Sequence, residues 1–175
     1  MTDSAGNAVK DQEVTFTITP THYYKGQMYV ADTDGDGEGD EWVQGGIISG
    51  GAIQPAVECV TEDTNGNGSL DTLGISEDTN LNGTLEPTKD AALTASNSGV
   101  TDATGALVVT IKYLKSRALW SKQMITAKIR GVGTEFKEDI SFVLPILAAD
   151  ASSADTEVPN QFSPYGQAGA CTDPN

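Results

Sequence analysis

Apolar and polar residues alternate with period two at both ends of the chain, while the middle shows no such period. Near the N-terminus Val14, Phe16 and Ile18 alternate with Thr15, Thr17 and Thr19. This is the pattern of a half-buried strand, and Pro20 is its expected end. Residues 22–30 (HYYKGQMYV) are aromatic and read as extended, and Gly45, Gly46, Gly50 and Gly51 then break up a weakly apolar segment that runs to Val60. Residues 102–105 (DATG) signal a turn, after which Leu107, Val109, Ile111 and Tyr113 alternate with Val108, Thr110 and Lys112. Ile125, Ala127 and Ile129 alternate in the same way, Gly131 and Gly133 supply a further turn, and Ile140, Phe142 and Leu144 form a last segment before Pro145. Three consecutive period-two segments joined by short turns predict an antiparallel meander. No segment carries a helical period with caps. From about residue 146 the chain is small, polar and punctuated by Pro and Gly, as a tail would be. The pattern predicts an all-β chain.

Length adds that 175 residues fit one domain carrying a large insertion, here about 31–92. The net charge of -15 argues against nucleic acid and anionic membrane surfaces as partners. No stretch approaches the ~20 apolar residues of a membrane-inserted span. The acid is concentrated: of 25 Asp and Glu residues, six lie in residues 32–41 and seven in residues 62–90. Such clusters in Gly- and Asn-rich stretches point to hard-cation sites, or else to solvated acidic loops. The two cysteines, Cys59 and Cys171, have no zinc-type spacing, and His22 is the sole histidine. They read as one long-range disulfide or as two buried thiols. A disulfide would place the protein in an oxidising compartment, extracellular or at a cell surface. The polar start MTDSAGNAVK is not a signal peptide, so an exported protein of this sequence would be a mature fragment. No nucleophile–base pair is evident, and the expectation is that the chain is not an enzyme.

Three segments carry the chemistry. The first presents Asp32, Asp34, Asp36, Glu38 and Asp40; the second Asp63, Asn65, Asn67, Ser69 and Asp71; the third Asp78, Asn80, Asn82, Thr84 and Glu86. The last two repeat with a period of fifteen, Glu62 mapping on Glu77 and Gly68 on Gly83. Each matches the front of an EF-hand loop, with oxygen donors at positions 1, 3 and 5 and glycine at 6. Alternate side chains of a curled loop converge, the glycine permits the sharp turn, and the position-7 carbonyl adds a ligand. Leu70 and Leu85 at position 8 would anchor their loops. Oxygen-only donors favour Ca²⁺, two to three ions in all. Position 12, normally a bidentate Glu, is instead Val43, Gly74 and Lys89. Asp40 or Glu41, Glu77 and Asp90 are the candidates to replace it. The sequons at Asn67 and Asn82 read as by-products of the loop pattern. A dockerin is disfavoured because residues 73–77 are too short for the helix that would follow.

The runs GNAVKDQEVTFTI, TDATGALVVTIKY and MITAKIRGVGTEFKEDISFVL resemble bacterial immunoglobulin-like domains of group 1, the invasin/intimin type. The segment from ECVTEDTNGNGSLD to EDTNLNGTLEP resembles an insertion with paired calcium-type loops after a Cys, and the ending SPYG…C resembles its companion region. The resemblance implies an immunoglobulin-like antiparallel β-sandwich with long calcium-binding loop insertions and a Cys-pinned tail over about 146–175. Two departures stand out: residues 72–76 separate the duplicated loops, and of the strand that the family places before the GNAV turn only Met1, Thr2 and Asp3 remain. A neighbouring domain or subunit of a surface protein or filament would then supply that strand by complementation. The expected function is a calcium-stabilised extracellular structural module. The alternative is an adhesion or recognition module binding glycan or protein through its loops and Tyr23, Tyr24, Tyr29 and Trp42.

Overall fold

The structure, a computed structural model of the chain, describes residues 1–74, 76–130, 135–167 and 169–174. The expected glycine turn at 131–133 lies outside the described residues. The period-two segments become strands: β1 (Val14–Lys25), β2 (Gln27–Ala31), β3 (Glu41–Gly45), β4 (Ile48–Ser49), β5 (Ala52–Ile53), β6 (Val57–Val60), β7 (Ala91–Ala95), β8 (Val109–Tyr113), β9 (Ser121–Arg130) and β10 (Glu135–Val143). Among the described residues helix is confined to two 3-10 turns and the four-residue α1 (Ala148–Ala151). The chain is all-β.

β1 alternates as its Val/Phe/Ile–Thr pattern requires, with Val14 buried and the intervening threonines exposed. It does not stop at Pro20, however, but runs on to Lys25. Its antiparallel partner β6 pairs only with residues beyond the proline, from His22↔Val60 to Lys25↔Val57, so the missing N–H interrupts no rung of that ladder. Among the described residues the strand order β10-β9-β1-β6 makes one four-stranded sheet, and β2–β3, β4–β5 and β7–β8 make three two-stranded ones. The expected three-strand meander therefore holds only for β9 and β10. β8 lies beside β7 instead, because its apolar alternation is satisfied equally well by a strand outside the meander; periodicity selects a face, not a neighbour.

The chain divides into two compact units. The first comprises residues 1–19, 91–112 and 124–142. Here the DATG turn forms as expected: the Asp102 carboxylate accepts the Thr104 and Ala106 amides, and Gly105 takes the left-handed φ of 74° that favours glycine. Buried Thr101 accepts the Gln12 amide at 2.9 Å and donates to the Val9 carbonyl. The second unit comprises residues 20–90, 113–123 and 143–175. Its core is Tyr23, Met28, Cys59, Trp120, Val158 and Tyr165, a contiguous apolar cluster of the kind that supplies most of a domain's stability. Trp120 donates to the Asn160 carbonyl at 2.8 Å, and Asn160 in turn donates to the Ala118 carbonyl. The tail is held in this unit. Cys59 and Cys171 form the disulfide, and the buried Lys25 ammonium donates to the Ala170 and Asp173 carbonyls.

Candidate metal centre

All three acidic loops lie in the second unit and share a backbone dictated by their glycines. Position 6 is left-handed in each, with φ of 93° at Gly37, 73° at Gly68 and 78° at Gly83. Position 4 is left-handed too, at Gly35, Gly66 and Leu81. Leu81 at φ 60° is a strained choice for a branched side chain. These two reversals curl the loop so that the position-1 carboxylate accepts the position-6 amide: Asp32 from Gly37 at 2.9 Å, Asp63 from Gly68 at 2.9 Å, Asp78 from Gly83 at 3.0 Å. Position 3 accepts the position-5 amide in all three, from Asp34, Asn65 and Asn80. Position 5 accepts the position-7 amide, from Asp36, Asn67 and Asn82. Asn67 and Asn82 thus serve the loop frame, consistent with the sequons as by-products of it.

The loops differ in how position 9 is used. Loop one is the hairpin connection between β2 and β3, whose last rung is Ala31↔Glu41. Its Asp40 carboxylate turns back to accept both the amide and the hydroxyl of Thr33, each at 2.7 Å, and the Thr33 hydroxyl holds that carboxyl below its usual range. Carboxylate oxygens of Asp32, Asp34 and Asp40 lie within 4.8 Å of one another. Oxygens bound to one Ca²⁺ at about 2.3–2.6 Å are at most about 5 Å apart, so this donor set fits a hard cation. Asp36 and Glu38 are exposed beside it.

In the two duplicated loops, position 9 gathers the asparagine amides. Asp71 accepts from Asn65 and Asn67 at 2.7 and 2.8 Å, and Glu86 accepts from Asn80 and Asn82 at 2.8 and 2.9 Å. The frame therefore brings together Asp63, Asn65, Asn67 and Asp71 in one loop and Asp78, Asn80, Asn82 and Glu86 in the other. The Ser69 and Thr84 amides are fixed on position 5, and Leu70 and Leu85 are half-buried.

Of the residues predicted to close the loops, Asp90 stands elsewhere and Glu77 closes its loop by accepting hydrogen bonds from it. Asp90, a candidate for the third, has a side chain only 1% exposed and is taken up by Arg117, whose Nε lies 3.4 Å away, and by the Tyr165 hydroxyl. Burial, followed by the Asp90 charge, pushes the Tyr165 hydroxyl far up. Glu77 does close the second loop, with its carboxylate on the loop's amides and one hydroxyl: it accepts the Thr64 amide and hydroxyl at 2.9 and 2.8 Å, the Asn65 amide, and the Asp71 amide at 3.2 Å. The residue that sequence reasoning left without a role is Glu62. Buried at 2% exposure, it accepts the Thr79 and Glu86 amides of the third loop, both at 3.0 Å. Its signal was the fifteen-residue repeat itself, which pairs it with Glu77. Burial pushes the Glu62 carboxyl up against the pull of those amides, whereas the Thr64 hydroxyl holds Glu77 low.

No known protein family, curated protein or solved structure matches the chain, so any assignment rests on these residues.

Proposed function

We propose that the protein is a calcium-stabilised extracellular structural module of a bacterial surface protein or filament, built on an immunoglobulin-like β-sandwich. The observation that carries this reading is the threefold recurrence of one oxygen frame, with position 1 bonded to the glycine at 6, 3 to 5 and 5 to 7. A loop that serves only as a solvated connection has no reason to repeat that frame. Packing oxygen donors this closely raises their mutual repulsion, and a divalent cation relieves it. Calcium in all three loops would order the connections between strands and rigidify the second unit. The disulfide supports an oxidising compartment, and no helix among the described residues is long and apolar enough to cross a membrane.

The partners of such a module are neighbouring domains or subunits. β10 stands at one edge of the four-stranded sheet and exposes Phe136 and Ile140, features that suit strand addition. A recognition surface built on the aromatics has less support: Tyr23 is buried, Tyr24 and Trp42 pack against the core, and Tyr29 donates to the Gly46 carbonyl.

The test is thermal unfolding of the oxidised protein with millimolar Ca²⁺, with chelator, and with Mg²⁺. At a hundredfold excess over Kd each ion adds on the order of 3 kcal/mol, which raises Tm by roughly 6–12 °C for a chain of this size. An unchanged Tm with no calcium retained after dialysis would sink the proposal.

A further inference from the structure

The two duplicated loops close one another. Glu62 immediately precedes the second loop, yet its carboxylate spans the third, one oxygen on the Thr79 amide and the other on the Glu86 amide, while its own N–H donates to the Glu86 carbonyl at 2.7 Å. Glu77 immediately precedes the third loop and does the same for the second. One oxygen takes the Thr64 amide, the other the Asp71 amide, and the Glu77 N–H donates to the Asp71 carbonyl at 3.0 Å. Each glutamate therefore ties position 2 to position 9 of the opposite loop with charge-assisted hydrogen bonds, and each is peptide-bonded to the first ligand of its own loop, Asp63 or Asp78. Both are almost wholly buried, at 2% and 3% exposure, where a carboxylate without partners is costly.

We infer that Glu62 and Glu77 are crossed positioning residues rather than metal ligands, and that they make the second and third loops one binding unit. Ordering either loop fixes the glutamate at its head, and that glutamate closes the other loop. Resting on the calcium reading above, the consequence is cooperative loading: the first ion raises the affinity of the partner loop by about tenfold, within the usual range of coupling between sites. Loop one is closed by its own Asp40 and loads independently.

The experiment combines Ca²⁺ titration calorimetry with amide hydrogen exchange by NMR on the full oxidised chain. Glu62→Gln presents an NH₂ where an amide needs an acceptor. It should speed exchange of the Thr79 and Glu86 amides about tenfold and weaken calcium at the third loop, with a smaller effect on the adjacent Thr64 and Asp71 amides, which keep their direct acceptor Glu77. Glu77→Gln should give the mirror result. Because a buried variant can fail to fold, Asp63→Ala supplies an independent arm: it removes a ligand of the second loop and should weaken calcium binding at the third about tenfold. Effects confined to the loop next to the substituted residue, or an unchanged third loop in Asp63→Ala, would overturn the crossed arrangement. Calcium bound by the wild type without cooperativity would overturn the coupling alone. No calcium bound at all would overturn the functional reading together with the coupling, and the exchange pattern would still decide whether the clamps cross.

Discussion

Loop one and the duplicated loops are the same nine-residue frame closed in two ways. Loop one hangs between β2 and β3 with Asp32, Asp34 and Asp36 exposed and Asp40 half-buried, and it carries carboxylates at positions 1, 3, 5 and 9. Of the duplicated loops the third sits deeper, with Asn80 and Glu86 buried, while the second exposes Asn65 and Asn67; both replace the carboxylates at 3 and 5 with asparagine. For the third loop the difference follows from solvation. Water can screen four like charges at the surface, but the same set in a buried site would cost several kcal/mol per unpaired ion. Both duplicated loops halve their charge, satisfy the remaining carboxylates with amides, and recruit a glutamate from outside to hold the ends. Affinity in such loops depends on ligand charge and on rigidity; loop one has more of the first and the pair more of the second.

The largest effect expected separates the two by their attachment to the disulfide. Cys59 lies three residues before Glu62 and closes a 112-residue separation to Cys171. Replacing both cysteines with serine should cost about 4–5 kcal/mol in the chain-entropy model, read by urea unfolding. Amide exchange should show the duplicated loops loosening more than loop one. Equal loosening would mean that the attachment point does not distinguish the loops.

A smaller effect comes from deleting one ligand at a time. Asp32→Ala should remove one ion's share of the calcium-dependent stability, on the order of 3 kcal/mol at saturating ion. Asp63→Ala should remove more than one share because its partner loop is weakened too. Identical losses measured by calcium-dependent unfolding would dissolve the contrast between a solitary and a paired site.

How much of this could be read from the chain depends on the range of each interaction. The loop frame is local: glycine at position 6 and donors at 1, 3 and 5 are set within six residues, and the structure forms them in all three loops. The Asp102–Gly105 turn and the strand alternation of Val14, Phe16 and Ile18 are local in the same sense. What failed was choice of partner. Nothing in the alternation of Leu107, Val109 and Ile111 says that β8 lies beside β7, and nothing near Asp90 announces Arg117 and Tyr165, which are 27 and 75 residues away. Glu62 is visible in the sequence as the repeat mate of Glu77, but its target lies one loop further on, and the EF-hand pattern places the closing ligand of each loop only downstream within that loop. The disulfide was one of two readings open in the sequence; the structure forms it.

The smallest effect uses Asp102 as a control for both kinds of loop. Its carboxylate makes the same type of turn, accepting the Thr104 amide and hydroxyl and the Ala106 amide, but with one carboxylate in place of several and with no glutamate clamp. The Thr104 hydroxyl, followed by the two amides, holds the Asp102 carboxyl below its ordinary value of 3.8. Because the folded value is depressed, the turn's contribution is fully present above pH 3.8 and is lost as the pH falls through the lower folded value. The Thr104 and Ala106 amide resonances should therefore move only at the acid end of an NMR titration. They should ignore calcium and chelator at neutral pH, where the Gly37, Gly68 and Gly83 amides respond. If the Ala106 amide tracked calcium as strongly as those glycines, the response of the loops would reflect ion association with an acidic surface in general, and the distinction between framed sites and simple turns would fail.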